Sequence, residues 1–311
     1  MGKTIDRITG EAGIPRLVEV LADRLNPTDL QSLMLAVYAR RAQRRQPADV
    51  LTDYERSRFF GASPLPAESF SAFESAAQSA ASRFSFLTLS PLAPFSACAA
   101  VASVGQDWSI PTARTGEVVS DPTNILALEA AIRRRAAPQA APTHLATCQR
   151  VVRPQSYGDP RQLAHFSLFA LISAGRDVGS FGREAEMIGG HLDALIGTIR
   201  GYLDQPPSLS LSYTIRTGST ADARFAAIED VANRHGIPLW EEPERVAVDR
   251  YYAGFCFHLW ADTPSGRQQI ADGGAVDWVG KLTGNRKQRS FISGCGIDGL
   301  VAMRLSAQTS I

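Results

Sequence analysis

The chain has 311 residues, 44% of them hydrophobic and 20% charged, with a formal net charge of +1. That length supports one large domain or two modest ones with ample core. A charge so near zero excludes a global field that would draw the molecule to nucleic acid or an anionic membrane, so any such contact must come from a local patch. No apolar run is long enough to span a bilayer, and Gly2-Lys3-Thr4-Ile5-Asp6-Arg7 is not a signal peptide, so a cytoplasmic location and no membrane partner are expected.

Residues 13–60 read as two or three helices. Ile14 to Leu25 has apolar residues at helical spacing. Asn26-Pro27 then breaks the chain, and Thr28 is placed to cap a helix from Asp29 to Arg45. Its end carries Arg40, Arg41, Arg44 and Arg45. They are either a solvated end complementing the helix dipole or a contact for nucleic acid such as tRNA. Gly61 to Pro66 reads as a hinge, dividing a helical extension, residues 1–62, from a main domain, residues 63–311.

Ala67 to Arg83 reads as one long helix, feeding a strand over Phe84 to Pro94. Further strands are expected at Leu145 to Val152, His165 to Ser173, Leu209 to Ile215, Tyr251 to Trp260, Gln268 to Ala271 and Ser290 to Ser293. Helices over Arg183 to Leu203 and Ala221 to His235 separate some of them. The spacing is too irregular for repeated βαβ units and fits an α+β fold with a largely antiparallel sheet. Ala-rich residues 136–142 read as an exposed loop.

Cys98, Cys148, Cys256 and Cys295 are scattered, with no CxxC pair, and read as buried free thiols. The five histidines lack HxxxH or HxH spacing, so no zinc site is expected.

Near the end, an apolar strand from Arg289 runs into Gly294-Cys295-Gly296, read as a turn, and then a short helix with Gly299 and Arg304. Glycines there let a ligand approach the backbone, and a helix N-terminus suits an anion. Upstream lie Gln149-Arg150-Val151-Val152-Arg153-Pro154-Gln155, then Arg161 and His165-Phe166-Ser167-Leu168-Phe169. Next come Tyr251-Tyr252-Ala253-Gly254 and Asp272-Gly273-Gly274-Ala275-Val276-Asp277. This order, over residues 67–305, resembles the catalytic core of class II aminoacyl-tRNA synthetases, in the histidyl-tRNA synthetase branch. Relatives of that branch include the regulatory subunit of ATP phosphoribosyltransferase, which kept the fold and gave up aminoacylation.

The resemblance implies roles. The segment ending at Pro91 is similar to the first class II motif, a dimer-forming element, so a homodimer is implied. Arg153 matches the arginine that grips the α-phosphate of ATP, Arg161 falls in the loop over the nucleotide, and Phe166 matches the adenine platform. Tyr251, Tyr252 and Gly254 match the Tyr-Tyr-x-Gly element of the amino-acid pocket, with Gly273 and Gly274 beside it. Gly294 and Gly296 match the third motif, and ATP with Mg²⁺ would be the cofactors.

Each residue also has an ordinary reading. Arg153 suits a structural ion pair, and Phe166 suits the core. In a strand Tyr251 and Tyr252 face opposite sides, so at most one lines a pocket. Asp272-Gly273-Gly274 fits any hairpin turn.

The departures matter more. Gly299 stands where active synthetases place the arginine that holds the γ-phosphate. Arg304, five residues on, is about 140° around the helix from it. Leu168 and Ile172 replace the expected Gln and Glu, Gln155 replaces an acid, and Ala275-Val276 replaces Arg-Tyr. The amino-acid-binding Arg-Pro-Glu signature is missing; its nearest match is Ser120 to Asn124, where Asp121 either recognises an amine or serves as a turn residue. The chain ends at Ile311, leaving no room for an anticodon-binding domain.

Losing one charge-assisted contact to developing phosphate charge costs about 3 kcal/mol of transition-state stabilisation. The expected function is therefore a catalytically altered paralogue that binds an amino acid or nucleotide and regulates a partner enzyme. The alternative is a tRNA-independent ligase that activates an amino acid or other carboxylic acid with ATP.

Overall fold

A computed structural model describes residues 2–155, 162–215, 222–243 and 251–309. Arg161 lies outside these residues.

The extension forms helices Gly2–Ala12, Leu17–Glu19, Pro27–Ala42 and Pro47–Arg56, with a π-helical turn at Val20–Arg24. None of these elements buries a residue. The cap expected at Thr28 is instead Asn26, whose Oδ1 accepts from the Asp29 N–H at 2.9 Å. Pro27 then takes the first helical position, where a missing N–H costs nothing. Residues 58–61 fasten the extension to the main domain. Arg58 O accepts from Ala164 N at 2.9 Å, and Gly61 O bonds His165 Nε2 at 2.6 Å.

In chain order the strands are β1 (Ser85–Phe86), β2 (Leu92–Pro94), β3 (Ile110–Pro111), β4 (Gly116–Val118), β5 (Thr143–Val152) and β6 (His165–Arg176). There follow β7 (Leu209–Ile215), β8 (Leu239–Glu241), β9 (Phe255–Thr263), β10 (Gly266–Val276) and β11 (Gln288–Gly296). Eight form one sheet in the order β1-β5-β6-β11-β10-β9-β7-β8, and β2-β4-β3 form a small second sheet. Among the described residues of the large sheet, only β1·β5 and β7·β8 are parallel. This is the α+β, largely antiparallel architecture expected.

The strand expected over Phe84 to Pro94 is split. Pro91 and Pro94 cannot donate ladder hydrogen bonds, and the chain leaves one sheet after β1 to enter the other at β2.

Both faces of the large sheet are covered. Phe169, Leu171 and Phe291 point to one face, packing with Phe73 and Leu192 from helices Ala67–Ala80 and Gly182–Tyr202. Their neighbours Ala170, Ile172 and Ile292 point to the other, against Leu126 and Ala130 of helix Pro122–Ala136. This two-sided burial explains why β6 is almost continuously apolar.

Asp272-Gly273-Gly274 is no hairpin turn but lies within β10, and the hairpin closes between Thr263 and Gly266. Gly294 and Gly296 are likewise strand residues, paired with Ala170 and Leu168. Neither adopts a positive φ. What Gly294 supplies is close approach, since a Cβ there would lie 2.7 Å from Phe169 O.

Candidate functional site

Because residues opposite each other on paired strands share a face, register lays out one row across the sheet. It runs Ala170–Gly294–Asp272–His258–Ser212. The Ala170–Gly294 end of the row is small, and this leaves room for a cavity of about 520 Å³ lined by Ala170, Gly294 and Asp272. The start of helix Pro122–Ala136 forms a wall.

Asp121 is the hub. It caps that helix, its Oδ1 accepting from Thr123 N at 2.9 Å and from the Thr123 hydroxyl at 2.7 Å. Oδ2 accepts from the Tyr251 hydroxyl at 3.2 Å and lies 3.8 Å from Arg153 Nη2. It is thus both a turn residue beside proline and a wall of the cavity. Arg153 follows β5, donates from Nε to Ser120 O at 2.8 Å, and sits 5.3 Å over the Phe166 ring. Its charge serves the wall as well as the cavity.

Tyr251 and Tyr252 both line the cavity, contrary to the alternation expected of a strand. The reason is that residues 251–254 form turns and bends, and β9 begins only at Phe255. Their rings meet edge-to-face at 4.9 Å, and the Tyr252 hydroxyl donates to Asp272 Oδ2 at 3.1 Å. Burial, helped by the Asp121 and Asp272 carboxylates, pushes the Tyr251 phenol well above its ordinary range. It therefore stays a neutral donor.

Arg153, Asp121, Tyr251, Tyr252, Gly294 and Gly296 are brought together at this cavity. Phe166, Gly254, Gly273 and Gly274 are not among its lining residues. Phe166 packs beside Ala93, Ala97, Val119 and Val151. Gly273 and Gly274 serve packing, since a Cβ on either would come within 2.5 Å of Ser293 Cβ or Phe255 O respectively. Arg304 makes two hydrogen bonds to Asp204, at 2.9 and 3.1 Å, away from the cavity. The helix N-terminus after β11 already has an anion in its first turn, Asp298, which accepts from Ser167 N at 2.6 Å and lies 3.6 Å from Arg150.

Sequence reading missed Asn124, which is 2% exposed, lines the cavity, and has an Oδ1 without a hydrogen-bond partner. The signal available was its place one turn into a helix opened by Asp121-Pro122, a cap followed by proline at the first position. Cys98 and Cys295 also line the cavity. Burial raises both thiols, Cys295 to about 12, so neither is a nucleophile at neutral pH.

The described residues do not fit ATP. Arg153 is the one cationic side chain among those lining the cavity, facing two carboxylates, Asp121 and Asp272. Gly299 offers no charge, Leu168 offers no oxygen ligand to Mg²⁺, and Ile172, the other apolar replacement expected beside the nucleotide, is not among the lining residues.

No family model matches the chain, and no curated protein matches it. Solved structures do. The apo histidyl-tRNA synthetase of S. aureus aligns over 79% of this chain and 69% of its own, with 14% identity and a TM-score of 0.60. An ATP phosphoribosyltransferase regulatory subunit/histidyl-tRNA synthetase from Bacillus halodurans aligns over 79% and 82%, with 14% identity and a TM-score of 0.61. A histidine–tRNA ligase subunit from Alicyclobacillus acidocaldarius aligns over 80% and 96%, with 14% identity and a TM-score of 0.56. The fold is that of the histidyl-tRNA synthetase-like class II core.

Proposed function

We propose that the chain binds an amino acid in the cavity at Asp121 without using ATP to activate it, and that it acts as a sensor of that ligand. The observation that carries this reading is the charge pattern of the cavity, whose lining brings the carboxylates of Asp121 and Asp272 together with the guanidinium of Arg153. Two carboxylates facing one guanidinium leave an unbalanced negative charge, which a ligand ammonium complements. Arg153 is the group for the ligand carboxylate, and the two tyrosine hydroxyls hold the acceptor oxygens in place.

Among the described residues, the cavity would set a triphosphate against two carboxylates with one guanidinium to balance it, which favours a zwitterion over ATP. A matching fold described as an ATP phosphoribosyltransferase regulatory subunit favours regulation of a partner enzyme as the outcome of binding. Through the first-motif likeness, a homodimer is the proposed assembly.

Calorimetric titration with the standard L-α-amino acids tests this. At least one should bind, and Asp121→Asn should weaken that binding tenfold or more, because Asn retains the helix cap while removing the charge. Binding unchanged in this variant would overturn the reading.

A further inference from the structure

With Asp121, Asp272 and Arg153 facing a ligand's ammonium and carboxylate, the rest of the cavity decides which side chain it admits. Part of that lining is apolar and open. Leu168 of β6 stands two residues from Ala170 on the same face of the sheet. Its cross-strand neighbour is Gly296, where even a Cβ would meet nothing within 4 Å, so the partner strand does not cover it. Val104 and Trp108, in the segment after helix Ala97–Ala102, also line the cavity. Leu168 and Val104 are half-buried and Trp108 is 41% exposed, so all three present surface that a ligand can cover.

The uncharged polar groups of the lining are mostly engaged within the protein. The Thr123 hydroxyl donates to Asp121 Oδ1 at 2.7 Å, and the Ser293 hydroxyl bonds His191 Nδ1 at 2.7 Å. Ser120 hydrogen-bonds the Cys98 thiol, and both tyrosine hydroxyls donate to the carboxylates. Asn124 is too enclosed to meet a ligand, and Gln269 is exposed. A charged or imidazole side chain pressed against Leu168, Val104 and Trp108 would lose water and find no counter-charge beyond the three groups already used. An apolar side chain gains there instead: each methylene removed from water is worth about fourfold in affinity.

Resting on the reading of this cavity as an amino-acid site, we infer that its ligand carries a large apolar side chain, aliphatic or aromatic, and that Leu168, Val104 and Trp108 select it. The cavity, of about 520 Å³, has room for a side chain of that size. Leu168 is the principal determinant, because it stands on β6, held between β5 and β11 in the middle of the sheet.

The test is calorimetric titration of the whole chain with leucine, methionine and phenylalanine, and with asparagine, glutamine, histidine, lysine and glutamate. Asparagine and glutamine match leucine and methionine in size, so they isolate polarity. The expected result is that the tightest of the three apolar amino acids binds at least tenfold more tightly than each of the other five. Leu168→Gln should cut its advantage over asparagine and glutamine at least fivefold. Trp108→Ala, at a largely exposed position, should weaken it at least threefold and so reports even where Leu168→Gln fails to fold. The inference is overturned if any of the five polar or charged amino acids comes within tenfold of the best apolar one, or if both variants bind as the native chain does. Polar-selective binding that Asp121→Asn weakens would leave the amino-acid reading standing without this inference, whereas binding of no amino acid at all would overturn both.

Discussion

The Tyr251 hydroxyl donates to Asp121 Oδ2 at 3.2 Å, joining a turn before β9 to the cap of a helix 130 residues earlier in the chain. Replacing Tyr251 by Phe removes this bond without emptying the site. The expected cost is about 1 kcal/mol of stability, read by urea unfolding. Amino-acid binding should also fall, because Asp121 Oδ2 loses the donor that positions it. Unchanged binding in Tyr251→Phe would show that the hydroxyl plays no positioning part.

A pH prediction comes from His191, fully buried between two hydroxyls, Ser293 Oγ at 2.7 Å and Ser173 Oγ at 2.9 Å. Burial holds its imidazole well below the ordinary histidine range, and burial lowers His144 as well. Below about pH 6.5 the unfolded chain takes up protons that the folded chain refuses, so stability falls as pH falls. The slope is at most about 1.4 kcal/mol per pH unit for each such histidine. Paired carboxylates such as Asp177 contribute only at lower pH. Unfolding free energies between pH 7 and 5 check this, and His191→Gln should flatten the slope although its absolute stability is lower.

The two glycines near the end of β11 should behave differently. A Cβ at Gly294 would lie 2.7 Å from the backbone oxygen of Phe169, whereas nothing lies within 4 Å of one at Gly296. Gly294→Ala should cost about 1–3 kcal/mol through overpacking, and Gly296→Ala should be near neutral or slightly stabilising. Equal effects in thermal unfolding would restore the turn reading that the strand pairing replaced.

Gly299 lies on the exposed side of helix Ile297–Thr309, with nothing within 4 Å of a Cβ. Gly299→Arg should therefore fold with a stability change within about 1 kcal/mol, since in the first helical turn the gain from removing glycine is offset by placing a cation near the helix N-terminus. If the third-motif resemblance holds at this position, the variant should also gain ATP-dependent thermal stabilisation that the native chain lacks. Stabilisation by ATP in both, or in neither, would separate the resemblance from the phosphate chemistry.

How much of this was legible in the sequence depended on local signal. Helix Gly182–Tyr202 was readable from its apolar periodicity, and β6 from its largely apolar run. The split of Phe84 to Pro94 between two sheets was not, because alternation continues across the point where pairing changes partner. At Gly273 and Gly294 glycine marks close strand contact, and sequence alone does not separate that from a turn. Within the site, Arg153, Asp121 and Tyr251 could be named individually, but their meeting at one carboxylate depends on contacts up to 130 residues apart. Asn124 carried no motif, since an orphaned oxygen is a property of packing.

The most direct test of the central claim is one titration series, with amino acids and ATP·Mg²⁺ added separately to the native chain, Asp121→Asn and Arg153→Ala. The predicted result is saturable amino-acid binding that Asp121→Asn weakens tenfold or more, with no saturable ATP binding and no amino-acid-dependent ATP–pyrophosphate exchange. ATP binding with exchange that Arg153→Ala abolishes would contradict it and establish an activating ligase instead.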